Sequence, residues 1–221
     1  VEEIVLGKKL KLPPASFFQV NAELTPTMVR LAREMFVGRK CRALVDAYCG
    51  VGLFALFLAE HAESVVGIES DALAIQAAQF NAEQLGLKNC RFRRGSVESL
   101  LPKTLAKSNP EETCVLLDPP RAGCESSVLE TILKTRPKQI IYISCNPPAL
   151  ARDLKKLLRA ATDERCRGAS VKRRSENKSA LHRSAATTSQ VGYTLSRVIP
   201  LDMFPQTAHC EVMAELNIHA V

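Results

Sequence analysis

The sequence predicts an α/β protein, a doubly wound and mainly parallel sheet closed by an antiparallel strand pair at its C-terminal end. Three observations predict it. From residue 25 to residue 160, short apolar runs alternate with longer segments of helical periodicity, the rhythm of successive βαβ units. Chemically active residues recur where those apolar runs stop: Asp46, Glu69, Asp118 and Cys145. The last two apolar runs, 193–201 and 210–217, have no helix between them, and strands joined without a crossover pair antiparallel.

Taken in order, residues 1–12 alternate loosely and read as a short hairpin or extended arm. Pro13-Pro14 stops any helix there, and Phe17-Phe18-Gln19-Val20-Asn21 sets an aromatic pair beside a polar amide. Residues 1–22 are thus an N-terminal arm, and 23–221 the main domain. Pro26 suits a first helical turn; Met28, Leu31, Ala32 and Met35 share one face of a helix that Gly38 ends. Strands are predicted at 43–46, 65–69, 91–93, 115–118 and 139–144, each short, apolar and bounded by turn residues. Between them, helices are predicted at 52–60, at 71–85 with Gly86 as its stop, at 126–135, and at 147–160. The last opens on Pro147-Pro148 and buries Leu150, Leu154, Leu157 and Leu158. Residues 161–190 break this rhythm. They are rich in Ser, Thr, Ala, Arg and Lys and poor in large apolar side chains, which predicts a flexible insertion.

Composition narrows the class. A chain of 221 residues suffices for one α/β domain with a sizeable core. Its longest apolar run, 51–59, is interrupted by Gly52 and far shorter than a membrane span, and no signal peptide is visible. The eight cysteines include no Cys-x-x-Cys pair, so no metal site is expected. Free thiols are expected instead, in a reducing, cytoplasmic setting. The net charge of +7 is uneven, because residues 159–190 alone contribute +5. A polyanionic partner fits that segment, and so does a solvated loop.

The strand ends carry the chemistry. Asp46-Ala47-Tyr48-Cys49-Gly50-Val51-Gly52 runs from a strand through a glycine turn into a helix, where the backbone can bend and a ligand approach closely. The third glycine of the dinucleotide fingerprint is missing, which disfavours a nicotinamide cofactor. Glu69 ends the next strand, where a carboxylate can accept from ribose hydroxyls. Asp118-Pro119-Pro120-Arg121 follows a third strand, and Ser144-Cys145-Asn146-Pro147 a fourth. In open α/β sheets ligands bind at that carboxyl edge. Within its own hexapeptide Cys145 reads as a core thiol, and Asp46 as a helix cap or solvated strand end.

Four motifs in this order resemble the RNA uracil-5-methyltransferases, which make 5-methyluridine in tRNA and rRNA. They are Asp46-x-x-Cys-Gly-x-Gly52, Asp118-Pro-Pro-Arg121, Ser144-Cys-Asn-Pro147 and Phe204-Pro-x-Thr-x-His-x-Glu211. Phe18-Gln19-Val20-Asn21 is similar to that family's cofactor segment upstream of the domain. The resemblance covers the chain except 161–190. It implies a Rossmann-like methyltransferase domain, S-adenosylmethionine as methyl donor, and an RNA substrate.

Residue by residue, the resemblance implies Cys145 as nucleophile and Glu211 as general base. It implies Gln19, Tyr48, Gly50, Glu69 and Asp118 as S-adenosylmethionine contacts, with Ser96 near the adenine. Arg121 is left between a phosphate and a carboxylate. Leu53 stands where many members carry Asn, and a small RNA-binding β-barrel and an iron–sulfur segment known upstream in relatives are not in this sequence. Two other readings compete. One is a methyltransferase aimed at cytosine carbon 5 or an exocyclic amine, although Arg121 replaces the aromatic residue that the amine-directed motif carries after its prolines. The other is a non-catalytic RNA-binding module of the same fold.

Overall fold

The computed structural model describes residues 1–13, 21, 23–159, 191–203, 207 and 210–220. Gln19, the 161–190 insertion, and Phe204, Pro205 and His209 of the last motif lie outside them. The chain opens with an antiparallel hairpin, β1 (Glu2–Val5) and β2 (Lys8–Lys11). Helix α1 (Thr25–Gly38) follows, then β3 (Ala43–Ala47), α2 (Leu53–Leu58), β4 (Ser64–Glu69), α3 (Ala72–Gln84) and β5 (Cys90–Arg94). Next come α4 (Val97–Leu105), β6 (Thr113–Leu117), α5 (Ser126–Thr135), β7 (Gln139–Ser144), α6 (Pro147–Arg159), β8 (Val191–Leu201) and β9 (Glu211–Ala220).

Among the described residues, seven strands form one sheet in the order β5-β4-β3-β6-β7-β9-β8. The first five are parallel; β9 and β8 add as an antiparallel pair. This is the predicted architecture. Alternate residues of each central strand feed opposite cores, as a pleat of period two requires. Leu116, Ile141 and Ile143 join α1, α2 and α3 on one face. Val115, Leu117, Ile140 and Tyr142 join α4, α5 and α6 on the other. All six residues of β7 are buried, so its unbroken apolar character follows from being covered on both faces.

Two features go beyond the sequence reading. Helix α4 was not predicted. Pro102 sits inside it, and an internal proline removes a backbone donor and breaks the pattern by which helices are recognised. The N-terminal hairpin is built into the body of the domain: Val5, Leu10 and Leu12 share the core of α1 to α3. Asn81 of α3 ties it down, accepting from Lys11 N at 2.8 Å and donating to Lys11 O at 3.1 Å.

The chain order changes direction between β3 and β6. After β3 it builds outward through β4 and β5, then returns to lay β6 and β7 on the other side. A crevice opens at such a switch point, beyond the carboxyl ends of the strands.

Candidate active site

A cavity of about 690 Å³ occupies that crevice. It is walled by Tyr48 and Gly50 after β3, Glu69 at the end of β4, Ser96 after β5, Asp118 and Arg121 after β6, Cys145 after β7, and Glu211 at the start of β9. Of the residues named from the sequence, Cys145, Glu211, Tyr48, Gly50, Glu69 and Asp118 therefore share one cavity.

The glycine turn builds the first wall. Gly50 and Gly52 have φ of +52° and +86°, in the left-handed region that glycine enters without strain. At Gly52 a Cβ would also lie 3.1 Å from the Phe92 ring and 3.2 Å from Ala78. Tyr48, a bulky residue, is held at φ +66°; such a conformation costs on the order of 1 kcal/mol and concentrates at functional sites. The turn is braced by Glu69, whose Oε2 accepts from Gly50 N at 3.1 Å. Glu69 Oε1 accepts from Ser70 N at 2.6 Å, Ser70 Oγ at 3.0 Å and Asp71 N at 2.9 Å. The carboxylate is thereby fixed at the cavity wall.

Asp46 takes the other role open to it. It is fully buried inside β3 and its Oδ2 accepts from Ala55 N of α2 at 2.9 Å. It caps that helix and is not part of the cavity wall. Burial raises its carboxyl to about 7, against the lowering effect of the Ala55 bond. Ser96 sits at the N-terminal boundary of α4 as well as on the cavity wall.

The opposite wall is made by β7 and β9. Their antiparallel register pairs Ser144 with Val212. Cys145 directly follows the β7 end of that ladder and Glu211 opens β9, and both face the cavity. A turn holds Cys145 in place: Asn146 N donates to Ser144 Oγ at 3.1 Å, and Asn146 Nδ2 donates to Arg121 O at 2.8 Å. Burial raises the Cys145 thiol, and Glu211 raises it further; the Arg121 guanidinium beside it pulls the other way. Glu211 is buried, and burial pushes its carboxyl up to about 7. Burial, then Glu211 and Asp46, raise Asp118 well above the usual carboxylate range.

Arg121 is the residue whose role the sequence left undecided. Here it faces the thiol. A cation beside a cysteine favours the thiolate, and here Arg121 works against burial and Glu211, which together hold the thiol above its ordinary value. Asn21 Nδ2 donates to Met203 O, just after β8, at 3.4 Å.

Comparison with known proteins identifies the family. A family model described as tRNA (Uracil-5-)-methyltransferase matches residues 5–167. The chain belongs to that family. An uncharacterized RNA methyltransferase of Gloeobacter violaceus is 37% identical over 217 residues, covering 98% of this chain and 39% of the relative. The chain therefore spans about two fifths of that relative's length. The crystal structure of the tRNA (uracil-54, C5)-methyltransferase of Pyrococcus abyssi, in complex with S-adenosyl-L-homocysteine, superposes with a TM-score of 0.73. It is 28% identical and covers 98% of this chain and 44% of that one. An rRNA methylase of Streptococcus thermophilus shares the fold, with a TM-score of 0.59 at 12% identity over 86% of this chain and 95% of that chain.

Proposed function

We propose that the chain is the catalytic part of an S-adenosylmethionine-dependent RNA methyltransferase. It would methylate carbon 5 of a uridine through a covalent bond between Cys145 and carbon 6. The observation that carries this reading is the β7–β9 register, which brings a thiol and a buried carboxyl, distant in sequence, to one cavity wall.

The residues divide the work as follows. Carbon 5 of uracil is too poor a nucleophile to take a methyl group unaided. The Cys145 thiolate adds to carbon 6, and the electron pair of the 5,6 double bond moves into an enolate that makes carbon 5 nucleophilic. Arg121 favours the thiolate against the opposing influences of burial and Glu211. After methyl transfer, ionised Glu211 takes the proton from carbon 5. The double bond re-forms and the Cys145 thiolate leaves. A general base must lie within reach of the proton it removes; that Glu211 lines the same cavity as Cys145 supports this role.

The residues present fit the methyl donor. The glycine turn admits close approach, and Glu69 is fixed where ribose hydroxyls can donate to it. Tyr48, Gly50 and Asp118 complete that wall, with Gln19 assigned there by the sequence motif. Bound there, S-adenosylmethionine would supply an electrophilic sulfonium methyl.

The substrate class is structured RNA, tRNA or rRNA. The family and the Pyrococcus neighbour both point to uridine in tRNA. A cavity-bound thiol requires the target base to leave its stack, as base-modifying enzymes generally arrange. A cytoplasmic setting fits the seven free thiols of the described residues.

The test is a mechanism-based trap. An RNA stem-loop carrying 5-fluorouracil, incubated with the protein and S-adenosylmethionine, is expected to form a covalent, methylated complex through Cys145, because fluorine at carbon 5 cannot leave as a proton does. Equal complex formation by Cys145→Ala would show that another residue is the nucleophile.

A further inference from the structure

We infer that Asp153 is a positioning residue that, through Cys124 and Arg152, holds the 118–124 loop so that Arg121 faces the Cys145 thiol. The inference rests on the reading of Cys145 as the nucleophile. Asp153 lies in α6, fully buried and outside the cavity wall. A buried carboxyl group is tolerated when its hydrogen bonds are satisfied, and this one is. Its Oδ2 accepts from Tyr142 Oη at 2.7 Å and from Cys124 N at 2.8 Å. Its Oδ1 accepts from Arg152 Nε at 2.9 Å.

Three attachments then fix the loop. Cys124 N is held by Asp153, Ala122 O accepts from Arg152 Nη2 at 2.7 Å, and Arg121 O accepts from Asn146 Nδ2 at 2.8 Å. Within the loop, Gly123 N donates to Pro120 O at 2.8 Å. Gly123 has φ +82°, and a Cβ there would sit 2.5 Å from Arg152 Nη2 and 2.7 Å from Asp153 Oδ2. The loop thus packs directly on the charged pair. An apolar side chain at 153 would fill the space without bonding the loop. The same assembly reaches the methyl-donor wall, because the Cys124 thiol lies against the hydroxyls of both Tyr142 and Tyr48. Around Cys145 itself the charged or titratable neighbours are Arg121, Glu211 and Asp118. Of these, Arg121 belongs to the anchored loop and favours the thiolate.

The test reads the thiol directly. Alkylation of Cys145 by iodoacetamide is followed by mass spectrometry of its peptide, from about pH 6 to pH 10. The proteins are the intact chain, Arg121→Gln, Asp153→Asn, Arg152→Gln and the Arg121→Gln/Asp153→Asn double variant. Both Arg121→Gln and Asp153→Asn should slow alkylation at about pH 8 by roughly three- to tenfold, with the pH profile displaced upward. The double variant should be no slower than Arg121→Gln alone. Arg152→Gln, changed at an exposed side chain, should show the same displacement in smaller measure and serves if Asp153→Asn does not fold. A wild-type profile in folded Asp153→Asn or Arg152→Gln would overturn the inference. So would slowdowns that multiply in the double variant, or an Arg121→Gln variant that reacts as the intact chain does. The assay uses no RNA and no methyl donor. A chain that passes it yet forms no 5-fluorouracil adduct keeps the role of Asp153 in setting the thiol and loses the methylation reading.

Discussion

At the scale of the residue, Glu211 shows how function and stability oppose each other. Its carboxyl is held near 7 by burial, against an ordinary value of 4.5. A group whose folded value is raised binds its proton more tightly in the folded state. The contribution of Glu211 to stability is therefore fully present below about pH 4.5 and is lost as pH rises through about 7. Glu211→Gln removes that loss. Its stability relative to the parent should grow by roughly 2–3 kcal/mol between pH 5 and pH 8, measured by urea unfolding at both values. The same substitution should cut turnover on RNA by roughly 10²–10⁴. Methylated RNA should then accumulate attached to Cys145, seen as a slow band on a denaturing gel. A variant that turns over normally would place the base elsewhere.

At the scale of the element, the glycine turn and the last strand are the decisive pieces. Gly52→Ala adds a Cβ against Phe92 and Ala78 at a left-handed φ. It should cost about 1–3 kcal/mol in thermal unfolding and weaken S-adenosylmethionine binding in calorimetry. Unchanged affinity would detach the turn from the cofactor. Strand β9 carries Glu211 into the site, and its position depends on a buried polar cluster further along. Glu215 accepts from Gln139 Nε2 of β7 at 3.0 Å and from Arg197 Nε of β8 at 2.8 Å, with Arg39 of the α1 boundary 3.6 Å away. Glu215 thus pins β9 between its two neighbours. Glu215→Ala leaves Arg197 and Gln139 without that partner and should cost about 3 kcal/mol or more, read by chemical unfolding. It should also lower the yield of the 5-fluorouracil adduct per folded molecule. A mutant with parental stability would mean that strand pairing alone sets the register.

At the scale of the whole molecule, the proposed RNA substrate is a polyanion, and the positive charge of the chain is unevenly placed. Of the net charge of +7, residues 159–190 hold +5. Removing residues 161–189 should weaken RNA binding and make the fall of log affinity with log salt shallower, since fewer counterions are released. Cys145 alkylation should be unchanged. Fluorescence titration at several salt concentrations measures this, and an unaltered slope would exclude the segment from the RNA contact.

The parallel body and most of the site wall were legible from the sequence for a simple reason. Every strand of a parallel sheet ends at the same edge, so Tyr48, Glu69, Asp118 and Cys145 had to gather once the alternation of strand and helix was recognised. Helix α4 escaped because Pro102 interrupts the local signal. The partnership of Cys145 with Glu211 follows from the antiparallel register of β9, set by contacts such as Glu215 with Gln139 and Arg197, far apart in the chain. The same holds for Arg121, whose direction is governed by Asn146, Arg152 and Asp153 across a loop and a helix. Local pattern therefore decided which groups line the edge of the sheet, and long-range hydrogen bonding in three dimensions decided which of them meet.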